Sequence, residues 1–206
     1  MNKKGILTVI SGFSGAGKGT IVKGLMKRYQ NYALSISATT RNPRAGETHG
    51  VEYFFKTKEE FMDMIEQDQL IEYAEYVENF YGTPKAYVDS QLESGKDVIL
   101  EIEIQGALKV KEKFPDTLLL FVTPPSMQEL KQRLVGRGTE DSKTIDCRLK
   151  RAVLEAEGID QYDYLIINDD LEECIVRTHN IIQSEHCRVS RNNCNIEQIK
   201  EELKKF

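Results

Sequence analysis

The segment Gly12-Phe13-Ser14-Gly15-Ala16-Gly17-Lys18-Gly19-Thr20 follows the apolar run Ile6-Leu7-Thr8-Val9-Ile10 almost directly, and it fits Gly-x-x-x-x-Gly-Lys in a strand–loop–helix setting. Gly12, Gly15 and Gly17 let the backbone turn sharply enough for successive N–H groups to point inward at phosphate oxygens. The helix that follows adds unpaired N-terminal donors and the positive end of its dipole. Lys18 supplies a mobile point charge that can follow a phosphoryl group between two oxygens. A Gly-rich turn that merely opens a helix is the simpler alternative. The lysine in register and the strand upstream favour a nucleotide phosphate cradle, with Gly12 through Thr20 as its ATP-binding residues.

Gly19 stands where a Ser or Thr would ordinarily touch magnesium, and the hydroxyl comes one place later at Thr20. The Gly-Lys-Gly-Thr form resembles that of nucleoside monophosphate kinases. No direct side-chain bond to the metal is therefore expected. Mg²⁺ is expected to arrive with ATP, with Thr20 and Glu101 as candidates to reach it through water.

A chain of 206 residues can bury one full core with room for lobes. With 30% charged residues and a net charge of −5, a general nucleic-acid binder is not expected. Cys147, Cys174, Cys187 and Cys194 form no CxxC pair and lie apart from the histidines, so reduced thiols are expected rather than a zinc site or disulfides. The first strand begins within a few residues of Met1, leaving no signal peptide, and no apolar run approaches the ~20 residues of a membrane span. A soluble cytoplasmic protein without a membrane partner is the expectation.

Apolar runs at 6–10, 33–37, 98–104, 118–122 and 164–167 alternate with helical patterns, the signature of an α/β fold with a parallel sheet flanked by helices. Ile21, Val22, Leu25, Met26 and Tyr29 recur at a period near 3.6, as do Met127, Leu130 and Leu134, and Leu171, Ile175, His179 and Ile182. These read as core faces, His179 included. Two insertions interrupt the rhythm. One, 39–95, is polar and aromatic-rich, with a short helix around Phe61, Met64 and Ile65; the other, Gly136 to Gly158, is charged. The expected organisation is a single domain over 1–206. Its core is 1–38, 96–136 and 158–187, with an acceptor lobe at 39–95, a mobile lid at 137–157 and a tail at 188–206. Ile196, Ile199 and Leu203 give that tail a short amphipathic helix, able to pack on its own domain or on a partner.

Pro43 biases Asn42 toward extended geometry, and near polyproline II spacing Arg41 and Arg44 project from one side. Two guanidinium forks converging on a point suit a phosphate dianion, although a solvated basic loop fits these residues as well. The wider pattern resembles the guanylate kinase family. Ser37-Ala38-Thr39-Thr40-Arg41-Asn42-Pro43-Arg44-Ala45-Gly46-Glu47 is followed by Gly50-Val51-Glu52-Tyr53-Phe54-Phe55, Phe80-Tyr81-Gly82-Thr83 and Leu100-Glu101-Ile102-Glu103-Ile104-Gln105-Gly106. Pro124-Pro125-Ser126, Gly136-Arg137-Gly138 and Asn168-Asp169-Asp170 continue it, in order, to about residue 187.

That resemblance implies that Ser37, Arg41, Arg44, Tyr53 and Tyr81 hold the GMP phosphate. It also implies that Glu72 and Thr83 read guanine, with Glu103 at the second acidic position. Guanine presents N1–H and N2–H₂ side by side, which a carboxylate can accept together; adenine offers an acceptor there. Glu103 departs from the aspartate usual at its position. On the donor side Arg133, Arg137 and Arg148 match arginines around the transferring phosphoryl group, and Asn168 a position near the ATP adenine. Arg151 reads as ordinary surface charge.

The implied reaction is ATP + GMP giving ADP + GDP, with dGMP a further acceptor. Lys18, Arg41, Arg133, Arg137 and Arg148 would then stabilise charge in transfer. Two other readings stand beside it: a kinase for AMP or dTMP, and a silent protein-binding module of the same fold. The Glu72/Thr83 pair counts against the first, and the intact Lys18 loop against the second.

Overall fold

A strand forms at Leu7–Gly12 (β1) because its residues are apolar or small and are covered on both faces, as the centre of a parallel sheet requires. The computed structural model describes residues 4–76, 78–136 and 142–206. After β1 come helix α1 (Lys18–Arg28), β2 (Tyr32–Leu34), β3 (Ala38–Thr39), β4 (Phe54–Phe55), α2 (Lys58–Glu66), β5 (Leu70–Tyr76) and β6 (Asn79–Pro84). The chain continues through α3 (Lys85–Glu93), β7 (Asp97–Glu101), α4 (Ile104–Lys113), β8 (Leu118–Thr123), α5 (Met127–Gly136) and α6 (Ser142–Ala156). It closes with β9 (Tyr164–Ile167), α7 (Leu171–Glu185) and α8 (Asn193–Leu203).

Five strands make a parallel sheet in the order β2-β7-β1-β8-β9. β1 lies between β7 and β8, so its C-terminal end opens where the strand order reverses, the position at which α/β sheets bind ligands. Ile6, Ile10, Ile21, Leu25, Leu118 and Leu120 pack one face with Ile175 and Ile182. Leu7, Val9, Val98, Leu100 and Leu119 pack the other with Val88, Leu92 and Val110. Each fully buried aliphatic or aromatic side chain contributes about 1.5–3 kcal/mol.

The apolar runs at 33–37 and 98–104 are shorter as strands than their sequence suggests. β2 ends at Leu34, and β7 ends at Glu101 so that α4 can start at Ile104. The 39–95 insertion holds more than a short helix. It builds a second, four-stranded sheet in the order β4-β3-β6-β5, plus α2 with a Thr57/Glu60 capping box. Its last helix, α3, packs Val88 and Leu92 into the central core, so the central core extends into the 39–95 segment. The 136–158 segment carries the 15-residue helix α6, and residues 137–141 lie outside the described ones. In the tail, α8 fully buries none of its residues; Ile196 is half-buried, while Ile199 and Leu203 face solvent. No helix among the described residues is long and apolar enough to cross a membrane.

Candidate active site

Gly12, Gly15 and Gly17 adopt φ of +151°, +93° and +95°, in the region that favours glycine. At Gly17 a Cβ would lie 2.4 Å from the Asn168 amide nitrogen, and at Gly12 one would lie 2.1 Å from the Val122 carbonyl oxygen. Both glycines are therefore required by crowding as well as by backbone angle. Phe13 anchors the loop by turning its ring into the core, edge-on to Phe121 at 5.1 Å. Gly17 is the N-cap of α1 and offers no capping side chain, and the first turn carries no acid. Its outward N–H donors and positive dipole end are left for an anion.

Cationic side chains gather on this loop. Lys18 Nζ donates to Gly12 O at 2.7 Å and to Phe13 O at 3.2 Å, curled over the loop it belongs to. Arg148, from α6, hydrogen-bonds Ser14 Oγ. Arg133, from α5, donates to Asn168 O at 2.9 Å while Glu129 holds its Nε at 3.0 Å. Asn168 is buried, with its amide spent on Ala16 O at 2.8 Å. That contact braces the loop from below. Arg137 lies outside the described residues. Thr20 is exposed on the first turn of α1, and a Cβ at Gly19 would sit 3.6 Å from both carboxylate oxygens of Glu101. A carboxylate and a hydroxyl flanking the phosphate loop are hard oxygen ligands of the type magnesium takes.

The smaller sheet assembles a second cluster. Arg41 donates through Nη2 to both oxygens of Glu47, at 2.8 and 2.9 Å, and through Nη1 to Asn42 O. The guanidinium lies over the rings of Tyr53 and Phe55, at 5.4 and 5.8 Å. Tyr81 stands 6.0 Å from Tyr53, and its hydroxyl joins Glu47 in raising the guanidinium's pKa. In return Arg41 holds the Glu47 carboxyl below its usual range, helped by the Arg44 N–H at 2.7 Å. Arg44 itself is exposed, and Ser37 precedes β3, with its carbonyl taking the Phe54 N–H at 2.9 Å. Glu47 is the residue that sequence reasoning left without a role. Its signal was its place six residues after Arg41 in one loop, which becomes a contact only once the loop closes.

On β5, next to α4, Glu72 is half-buried; burial pushes its pKa up, against smaller lowerings by the Thr83 hydroxyl and the charge of Lys109. Thr83 is buried and donates to Glu72 Oε1 at 2.7 Å. Gly106 of α4 comes close on the other side, where a Cβ would be 3.4 Å from Glu72 Oε2. A buried acceptor-rich edge of this kind suits a ligand with adjacent N–H donors. Glu103, the N-cap residue of α4, is turned toward α6, where it pairs with Arg151. Arg151 therefore is more than solvated surface charge. It bridges Glu103 and Glu155, the latter at 3.2 Å.

Residues 4–185 match the family model described as guanylate kinase. The guanylate kinase of Caldanaerobacter subterraneus subsp. tengcongensis is 52% identical over 98% of this chain and 98% of its own. That of Halalkalibacterium halodurans is 51% identical over 92% of this chain and 93% of its own. The crystal structure of a guanylate kinase from Anaplasma phagocytophilum superposes with a TM-score of 0.72 at 33% identity, covering 92% of this chain and 90% of that one.

Proposed function

The chain belongs to the guanylate kinase family, a nucleoside monophosphate kinase that transfers a phosphoryl group from ATP to GMP, and from that premise we propose how its own residues divide the work. The phosphate loop with Lys18 binds the donor. The Glu72–Thr83 pair reads the acceptor base, and the Arg41–Tyr53–Tyr81 cluster, with Ser37 and Arg44, takes the acceptor phosphate. The observation that carries this reading is the half-buried Glu72 carboxylate with its hydroxyl partner. A charge partly withdrawn from water is costly; the Thr83 hydroxyl and the charge of Lys109 offset only part of that, and guanine's paired N–H donors would offset the rest.

Phosphoryl transfer runs through a loose transition state whose charge spreads over equatorial oxygens, so positioning and positive charge do most of the work. Lys18, Arg148 and Arg133 ring the donor loop, and Arg137 joins them by family resemblance. Glu47 preorganises Arg41, so that the guanidinium meets the acceptor phosphate already extended and partly dry. Asn168 contributes through the shape of the loop backbone rather than by reaching a base. Thr20 and Glu101 would hold, through water, the Mg²⁺ carried by ATP; the ion supplies charge neutralisation on the phosphates. A phosphate dianion is already a competent nucleophile, so no general base is assigned. The protein works in this reading on free ATP and GMP, with dGMP a further acceptor and the cytoplasm its setting. Residues 142–156 act as the donor-side cover and 39–84 as the acceptor lobe.

A coupled ADP-release assay with GMP, AMP and dTMP side by side tests the reading. GMP is expected to be the preferred acceptor, and Lys18→Ala to lower kcat about 10³-fold with GMP affinity little changed. A preference for AMP or dTMP, or a Lys18→Ala enzyme retaining a tenth of its rate, would overturn it.

A further inference from the structure

Glu103, a glutamate where the family resemblance leads to aspartate, has a partner in the fold. Its Oε2 is ion-paired with Nη2 of Arg151. Arg148, one turn earlier on α6, reaches Ser14 of the phosphate loop. Residues three apart share a helix face. One face of α6 thus touches the donor loop with Arg148 and the N-terminus of α4 with Arg151. Glu103, Ile104, Gln105, Arg151, Leu154 and Glu155 line a cleft of about 360 Å³ at this junction. Burial, then the neighbouring charges of Arg151, Glu103 and Lys18, set the proton affinity of Glu155, so the groups of this junction feel one another.

A carboxylate has two oxygens and can serve two partners at once. With Oε2 committed to Arg151, Oε1 is the oxygen left for a second partner. An aspartate at this position would stop one bond short of α6. The longer side chain and the arginine therefore form a matched pair. Arg151 and Glu103 are 50% and 66% exposed, so the pair adds little to stability. What it supplies is orientation, the kind of preorganisation that lowers the cost of binding.

We infer that Arg151 is a positioning residue for the acceptor site: it holds one oxygen of Glu103 so that the other faces the guanine edge of GMP. The inference rests on the acceptor position that the family resemblance gives Glu103, beside the proposed Glu72–Thr83 reading of the base. It also gives α6 a direct stake in both substrates, through Arg148 on one side and Arg151 on the other.

GMP and ATP affinities are measured by titration calorimetry, alongside steady-state KM values, on the wild type and on Glu103→Gln, Glu103→Asp, Arg151→Gln, Arg151→Lys and the Glu103→Asp/Arg151→Gln double variant. Arg151→Gln is expected to weaken GMP by about 3- to 10-fold, the scale of one unordered side chain, with ATP affinity unchanged. Arg151→Lys should recover part of the loss. In the Glu103→Asp background, where the reach is gone, Arg151→Gln should add nothing. An equal loss for both substrates, or full additivity in the double variant, would mean that Arg151 only steadies α6 and would overturn the inference. If Glu103→Gln weakens GMP while Arg151→Gln does not, the positioning role alone fails. If Glu103→Gln leaves GMP affinity intact, the acceptor role of Glu103 fails and takes this inference with it.

Discussion

At Glu72 the needs of folding and of recognition oppose each other. The native carboxyl has its pKa raised by burial, so the folded chain holds this proton more tightly than the unfolded one. Stability then falls as pH rises from the ordinary glutamate range through the raised value. Glu72→Gln is expected to raise Tm at pH 7, with the gain shrinking at pH 4. It should also cut GMP kcat/KM by the equivalent of ~2–4 kcal/mol, since an amide nitrogen would meet guanine's donors. AMP turnover should fall far less. Equal losses for both acceptors, with a lower Tm, would assign Glu72 to the fold alone. Thr83, Lys18 and Arg41 could be picked out in the sequence because each sits inside a short motif, whereas Glu72 stood out only through the family resemblance. Glu47 and Asn168 could not be given their roles there. Asn168 meets Ala16 across 152 positions, and no spacing rule reports such a contact.

Among the elements, α1 and α7 show how closely two helices can approach when one carries a glycine. A Cβ on Gly24 would lie 2.2 Å from Cδ1 and 2.8 Å from Cγ1 of Ile175, which is buried in the core. Glycine in a helix costs about 1 kcal/mol relative to alanine, yet the space admits nothing larger. Gly24→Ala is therefore expected to destabilise by about 1–2 kcal/mol net, overpacking outweighing propensity. A denaturant titration reads it as a lower midpoint with an unchanged slope. A rise in midpoint would show that Ile175 yields freely. The core strands were legible because parallel strands buried on both faces read as unbroken apolar runs, as Leu118 to Val122 do. The smaller sheet was not, since β3 and β4 are two residues each, shorter than any periodicity can register. In α6 the buried Ile145 and Ala152 are set among charged residues, which masked a helix as a polar insertion.

Across the whole molecule, Asp97 ties together the end of the central sheet away from the phosphate loop. This buried carboxylate accepts from Ile6 N at 2.9 Å, Asn31 Nδ2 at 3.1 Å, Gln183 Nε2 at 3.0 Å and His186 Nε2 at 2.8 Å. The entry to β1, the turn before β2, the start of β7 and the end of α7 all meet there. Asp97→Asn would turn donors toward donors and is expected to cost ~3 kcal/mol or more, seen as a lower Tm with kcat retained at 25 °C. A Tm within a degree of wild type would show that these elements hold without it. A parallel sheet flanked by helices followed from the α/β alternation, whereas its strand order and this knot did not, because the knot's members are scattered over the chain and each is unremarkable alone. The smaller sheet is joined to the larger at two covalent crossings, Ser35–Ser37 between β2 and β3 and the Pro84–Lys85 step into α3. Two crossings act like the two pins of a door: they define an axis and oppose motion off it. Glu72 belongs to the smaller sheet and Gly106 to α4 against the larger one, where a Cβ would lie 3.4 Å from the carboxylate. A base held on the Glu72 carboxylate is expected to work as a bolt, converting the fit of one purine edge into the angle of an entire lobe.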